Sequence, residues 1–319
     1  MIFDAPNTIS IADLFAQVGA DDAKLLHGED INVRGVCPLS LSQAGLFSFS
    51  NAKLKVTLAR NAAQPGTAWV VKTSEADQDD IELAKTHGIA VIVTINPRRW
   101  FFQGIRILFG DPEQAAPGIH KMSVISPTAS IAKTASIGPF VTVSDGAVIG
   151  EGVQLQHGVY IGRNCKIGAN TLIRPNSVIG VPGQAVERDS SDQQILLPHL
   201  GHVHIGENVI IGAGSVIVSG SMEETIIGDG CMIGNQVNIG HNCKIGEHCF
   251  IAPQTVIAGS VRMGRRCWIA PGVKILNKLR IGENSMVGLG STVTKPLKAD
   301  SYVFGSPAAQ MRKINKYNR

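Results

Sequence analysis

The sequence predicts a mainly β fold: a parallel β-helix of six-residue repeats, preceded by a small α/β domain and followed by a short C-terminal tail. Three observations carry this. First, an aliphatic residue returns every six positions from Ile119 to Ile179, from Ile205 to Ile217 and from Ile227 to Val293, making twenty-six hexads. A period of six suits neither a helix nor a simple strand, but it suits a two-residue strand followed by a tight turn; three such units close one triangular coil, and coils stack. Second, glycine often follows the periodic residue, as at Gly138, Gly150, Gly162, Gly240 and Gly246, and the chain holds 35 glycines in 319 residues against a usual ~7 %. Third, five of the six cysteines (Cys165, Cys231, Cys243, Cys249, Cys267) fall four residues after the periodic aliphatic, a slot that elsewhere takes Ala129, Ala135, Ala147 and Ser177. That slot therefore faces a narrow interior, and its cysteines are read as small buried hydrophobes, not metal ligands.

The elements follow in chain order. Residues 1–117 lack the period and read as an α/β domain. Ser10 caps a helix with Ile11, Leu14, Phe15 and Val18 at helical spacing. Ala68–Lys72 and Ile89–Ile95 read as buried strands, with a helix over Ser74–His87 ending at Gly88. Asp111, Pro112, Ala116, Pro117 and Gly118 mark a boundary. Residues 118–298 form the solenoid, which is interrupted twice. Between Ile179 and Ile205 lies a polar excursion near Val181–His204, and between Ile217 and Ile227 four residues are inserted. Insertions leave a solenoid as loops, often on its binding face. After Val293 the period stops, and residues 299–319 read as a basic tail capping the last coil.

Composition excludes several classes. Apolar residues make up 44 % of the chain, which argues against disorder, and a net charge of +4 is too mild to argue for nucleic acid. No apolar run has the length of a membrane span, and Met1–Ser10 has no signal-peptide character. Six scattered cysteines without a C-x-x-C pair fit reduced thiols and a cytoplasmic protein.

Of the nine histidines, His241 stands out by context. It follows the inward Ile239 by two positions, so it projects outward near a corner, and one coil later the same slot holds Gly259. A glycine there leaves a backbone N–H accessible beside the imidazole. A general base next to an oxyanion donor is what acyl transfer needs.

The stretch Ile233-Gly-Asn-Gln-Val-Asn-Ile-Gly-His-Asn-Cys-Lys-Ile-Gly246, with Ile251-Ala-Pro-Gln-Thr-Val-Ile-Ala-Gly-Ser260, resembles the catalytic stretch of the UDP-3-O-(3-hydroxyacyl)glucosamine N-acyltransferases of lipid A biosynthesis. Pro198-His-Leu-Gly-His-Val-His-Ile-Gly206 and Gly45-Leu-Phe-Ser-Phe-Ser-Asn-Ala-Lys53 resemble the same family. The resemblance implies a left-handed β-helix and a homotrimer with sites between neighbouring solenoids. It implies transfer of an acyl group, a 3-hydroxyacyl group in that family, from a thioester to a nucleotide-linked amino sugar, for lipid A or a surface polysaccharide. His241 matches the general base and Gly259 the oxyanion donor; Phe49, Asn51, Lys53 and Gln236 match the nucleotide- and sugar-binding stretches. The chain departs from the family's pattern at Leu54, at Val218-Ser219 and at Asn277. Phe304-Gly-Ser-Pro-Ala308 resembles instead the tail of coenzyme A-dependent hexapeptide acyltransferases.

Arg262, Arg265, Arg266, Lys278 and Arg280 make the region after His241 basic, which suits the phosphates of acyl-coenzyme A or the acidic surface of an acyl carrier protein. No permanently bound cofactor or metal is expected. The repeats by themselves leave open a sugar O-acetyltransferase, a non-catalytic scaffold, and a zinc enzyme using His202, His204, His241 or His248.

Overall fold

The computed structural model describes residues 1–19, 22–73, 78–110, 113, 115–184, 186–307 and 309–313. It divides into two units, Met1–Gln114 and Ala115–Arg319, so the second begins slightly before the expected 117/118 boundary.

The first unit is a three-layer α/β domain. In chain order it comprises β1 (Phe3–Ser10), α1 (Ile11–Val18), β2 (Ala23–His27), β3 (Asn32–Val36), β4 (Leu46–Ser50), α2 (Leu54–Arg60), β5 (Ala68–Lys72), α3 (Gln78–His87), β6 (Ala90–Thr94) and α4 (Pro97–Phe109). The sheet order is β1-β3-β4-β5-β6-β2, with β3 to β6 parallel and both edge strands antiparallel. Central strands covered on both faces read as unbroken apolar runs. In β5, Val70 packs with Phe47, Trp100 and Phe101 on one side, while Trp69 and Val71 pack with Leu54 and Ala84 on the other. Ser10 caps α1 as expected, its hydroxyl accepting the Asp13 N–H at 3.0 Å. Gln78–His87 is helical and stops at Gly88; Ser74–Asp77 of the expected helix lies outside the described residues.

The second unit is a left-handed parallel β-helix. Each of the twenty-six expected aliphatic positions lies in a short strand. The strands stack eighteen residues apart into three faces. The first includes Met232–Ile233, Phe250–Ile251 and Trp268–Ile269; the second, Asn238–Ile239, Val256–Ile257 and Lys274–Ile275; the third, Lys244–Ile245, Arg262–Met263 and Arg280–Ile281. The third residue after most of the aliphatics turns the corner with left-handed backbone, at Asn164, Asn170, Asn176, Asn208 and Asn242 among others. Asparagine tolerates that conformation better than most side chains.

The tail is shorter than expected, because the coil continues past Val293. Leu297 bridges to Ile281, and Ser301–Phe304 adds a further rung to the first face, burying Val303 beneath Val287. Spacings of four and six residues disguise this continuation in the sequence. Ala309–Lys313 then folds back antiparallel on Ser301–Phe304.

The interior corrects the reading of the cysteines as plain hydrophobes. They are buried, but they also donate: Cys231 Sγ reaches Gly246 O at 3.1 Å, and Cys243, Cys249 and Cys267 reach the matching carbonyls one coil on at 3.2 Å. Ser177, Ser215 and Ser285 do the same from this slot with hydroxyls at 2.8–3.0 Å. Where the slot holds Cys or Ser, the side chain satisfies a buried turn carbonyl; Ala and Val fill it elsewhere. Burial pushes the thiols of Cys165 and Cys243 up to about 11. A thiol held above its unfolded value of 9.0 supports the fold fully below that pH and loses the contribution as pH rises through about 11. Two units correspond to about 2–3 kcal/mol per thiol. The urea midpoint is therefore expected to fall between pH 9 and 11, and Cys165→Ala/Cys243→Ala to flatten that fall. Thiol reagents at pH 8 should label neither cysteine until the chain unfolds.

Candidate active site

His241 occupies the second position after the inward Ile239, at the corner joining the second and third faces. Its neighbour Asn242 takes the left-handed corner position, φ 59°, and this brings the two side chains together. His241 Nδ1 lies 2.8 Å from Asn242 Oδ1. The same oxygen receives the Ser221 N–H at 3.1 Å and the Ser221 hydroxyl at 2.9 Å. A backbone N–H can only donate, so the atom facing it is the carboxamide oxygen, and His241 Nδ1 must donate to it as well. The proton of the neutral ring is thereby held on Nδ1, and Nε2 carries the lone pair.

Nε2 faces Gly259, one coil on. A β-carbon on Gly259 would stand 2.5 Å from Nε2 and 2.7 Å from Cε1, so only glycine leaves the ring its place. The Gly259 N–H has no hydrogen-bond partner among the described residues. The fold explains why: in the regular hexads around it this slot's N–H bonds to no carbonyl of the next coil, and Pro127, Pro139, Pro175, Pro253 and Pro271 occupy the slot elsewhere. A ring nitrogen with a lone pair and a residue with an unpaired amide thus stand on adjacent rungs of one corner. This arrangement can take a proton from an attacking nucleophile and stabilise the oxyanion it creates.

Both interruptions of the repeat converge on this corner. The excursion carries an antiparallel pair, Val186–Arg188 with Gln194–Leu196, then returns through Pro198–His202. The returning segment binds the four-residue insertion through Leu200 N to Ser221 O at 2.7 Å and Thr225 N to His202 O at 3.0 Å. Gly201 permits the approach, since a β-carbon there would meet Glu223 O at 2.2 Å. One break thus delivers Ser221 to Asn242, and the other delivers the His199 ring to 5.6 Å from that of His241. Asn242, Ser221 and His199 were not singled out from the sequence. Asn242 stands there only as a member of the stretch around His241, and the other two come from outside the repeat, whose spacing does not register them.

The remaining expected residues disperse. Arg262 and Arg280 stand in one outward column with Lys244 on the third face, bordering a groove of about 530 Å³ that Leu297 also lines. Lys278 stands at the His241 corner, its N–H bonded to Gly259 O at 2.9 Å. Arg265 and Arg266 lie at the far corner of the third face, and Arg265 is paired with Glu283 at 2.9 Å. The basic run is therefore split among three places, because hexad geometry sends residues two to four apart to different faces and corners. Gln236 sits at the corner before the second face, bonded to Gln254 at 3.3 Å, a full face from His241 in the same chain.

In the first unit, Phe49 packs on Phe101 and lines an apolar recess of about 390 Å³ with Phe3, Pro38 and Leu39. Lys53 instead borders a separate recess that contains Asp79, Asp80 and Glu82. Asn51 is exposed and lines neither. The stretch Phe49–Lys53 thus serves two places, and the carboxylates near Lys53 are ill suited to a diphosphate. Leu54 is core, fully buried beneath Trp69. Among the described residues no group of three His, Cys, Asp or Glu is placed to hold a metal ion, and no helix is long and apolar enough to cross a membrane.

A solenoid of hexads bearing this corner defines a hexapeptide-repeat acyltransferase. Residues 146–180 and 224–259 match the bacterial transferase hexapeptide family, and 202–235 match the hexapeptide repeat of succinyl-transferase. The UDP-3-O-acylglucosamine N-acyltransferase of Neisseria gonorrhoeae strain NCCP11945 is 41 % identical over 275 residues, covering 80 % of this chain and 75 % of that protein. That of Herminiimonas arsenicoxydans is 37 % identical over 270 residues, covering 78 % and 74 %. Among solved structures, the Francisella novicida UDP-N-acetylglucosamine acyltransferase aligns with a TM-score of 0.57 and 27 % identity, covering 61 % of this chain and 70 % of that one. The chain belongs to the UDP-3-O-acylglucosamine N-acyltransferase family. It is an acyltransferase, and the O-acetyltransferase and scaffold readings are not favoured.

Proposed function

We propose that this chain acylates the amino group of a UDP-linked 3-O-acylglucosamine in lipid A biosynthesis, with His241 as general base. The observation that carries the reading is the His241 tautomer: Asn242 Oδ1 holds the proton on Nδ1, and Nε2 lies beside Gly259, whose N–H is unpaired among the described residues. The sugar amine attacks the thioester carbonyl, and Nε2 takes its proton as the C–N bond forms. The carbonyl oxygen becomes an oxyanion and accepts the Gly259 N–H. Collapse breaks the C–S bond, and the imidazolium returns the proton to the departing thiolate. An amide and a free thiol result, and the imidazole ends neutral.

The donor reading rests on the groove beside this corner. Lys244, Arg262 and Arg280 are spaced one rung apart and suit a phosphate-bearing pantetheine arm, from acyl carrier protein or coenzyme A. Arg265 and Arg266 are too far round the coil to share it. The recess at Phe49 supplies an apolar, aromatic wall for a nucleobase. A homotrimer accounts for the outward column Met232, Phe250, Trp268 and Met286 on the first face, where the Phe250 and Trp268 rings lie 4.2 Å apart and Trp268 is 44 % exposed. The reaction is placed in the cytoplasm, where acyl thioester carriers are made.

The test is a matrix assay crossing UDP- and dTDP-linked amino sugars with acyl-coenzyme A and acyl carrier protein donors. Turnover is expected with UDP-3-O-acylglucosamine and a 3-hydroxyacyl carrier protein. Turnover confined to dTDP sugars or to short acyl-coenzyme A thioesters would overturn the substrate assignment.

A further inference from the structure

The second imidazole at the corner has no place in the reaction as written. His199 comes from the excursion, outside the hexads, and its ring stands edge-on to that of His241, with centroids 5.6 Å apart and planes at 86°. It is held there from below through Nδ1, which lies 3.0 Å from the carbonyl of Ser219, the residue one coil before His241 in the same column, and 3.2 Å from the Gly183 N–H; it donates to the first or accepts from the second according to its tautomer. Gly183 has no side chain to obstruct it; a β-carbon there would meet the His199 ring at 2.8 Å. The other ring nitrogen, Nε2, is buried without a hydrogen-bond partner among the described residues.

That orphan atom is informative. A buried polar atom without a partner is costly, and a phenylalanine or leucine would fill the space without that cost. A hydrocarbon, however, could not be pinned at a fixed angle by the Ser219 carbonyl or the Gly183 N–H. Histidine combines a flat ring with a hydrogen bond that sets its orientation. The base is thus held on two sides: Asn242 fixes its tautomer through Nδ1, and His199 bears on its ring.

We infer that His199 is a positioning residue, which holds the His241 ring in its reactive orientation against Gly259. The inference rests on the reading of His241 as the base. Small displacements of a reacting group cost much in rate, so His199→Ala is expected to lower kcat by roughly 10–100-fold. KM for both substrates should stay within about twofold, as expected when an interaction acts on the chemical step and not on substrate binding.

Two further variants separate ring from hydrogen bond. His199→Phe restores a ring without the pin and should recover part of the lost kcat; His199→Asn restores a hydrogen-bonding group without the ring and should not. Nitrogen-15 NMR of the His241 ring should show a defined Nδ1–H tautomer in the wild type and averaging in His199→Ala. Unchanged kcat in His199→Ala, a loss confined to KM, or rescue by Asn and not Phe would each overturn the inference. Failure of the base reading itself would look different, since His241→Ala would then keep its activity whatever His199→Ala does.

Discussion

His241→Ala is expected to reduce kcat by about 10³-fold, within the 10²–10⁴ range of general bases, while the protein keeps its fold and its oligomeric state. The ring is half-buried at a corner and contributes nothing to the column of Ile, Val and Cys inside the solenoid, so its loss leaves the core intact. KM should change little, because the ring meets the amine proton chiefly as the C–N bond forms. Steady-state kinetics with thermal melting checks both halves, and near-wild-type kcat would remove His241 from the chemistry. Asn242 offers a finer test. Its backbone is left-handed, so Asn242→Ala would strain the turn, whereas Asn242→Gly removes only the carboxamide. That variant should lower kcat by roughly 10²-fold by freeing both the ring and its tautomer.

The fold was legible because the hexad is a physical code that repeats without interruption over long stretches. An inward aliphatic, a second inward residue four positions on and a permissive corner residue between them recur often enough that each coil checks the last. The meeting of His241 with Gly259 was legible for the same reason, since a column slot at eighteen-residue spacing can be counted. What orients the His241 ring was not. Ser221, Ser219 and His199 lie in or beside the two breaks, and what they approach depends on how a loop returns to the solenoid. The basic residues failed in another way. Lys244, Arg262 and Arg280 share a face because they repeat at eighteen, whereas Arg265 and Arg266, adjacent to them in sequence, turn a different corner. Nearness along a hexad chain is a poor guide to nearness in space. The first unit shows the limit of motif reading: Phe49 and Lys53 are four residues apart, yet a strand end and a helix start send them to different recesses.

Gly259→Ala should separate function from fold more sharply than any other single substitution. The Gly259 φ lies outside the left-handed region, so alanine fits the backbone without strain. What it meets is the end of a side chain, the His241 ring at 2.5–2.9 Å. The ring can yield only by swinging off Asn242, which destroys the tautomer lock and moves Nε2 from the free N–H. kcat is therefore expected to fall by about 10²–10³-fold, the scale of a lost oxyanion donor, with the melting temperature nearly unchanged. Gly240→Ala is the control, one coil position away. Its β-carbon would meet the Gly259 backbone, N at 2.6 Å and Cα at 2.9 Å, and backbone held by rung hydrogen bonds on both sides cannot step aside. That variant should lose stability. If Gly259→Ala instead melted early and kept its kcat, the glycine would be serving coil stacking, and the oxyanion role would have to move to another donor.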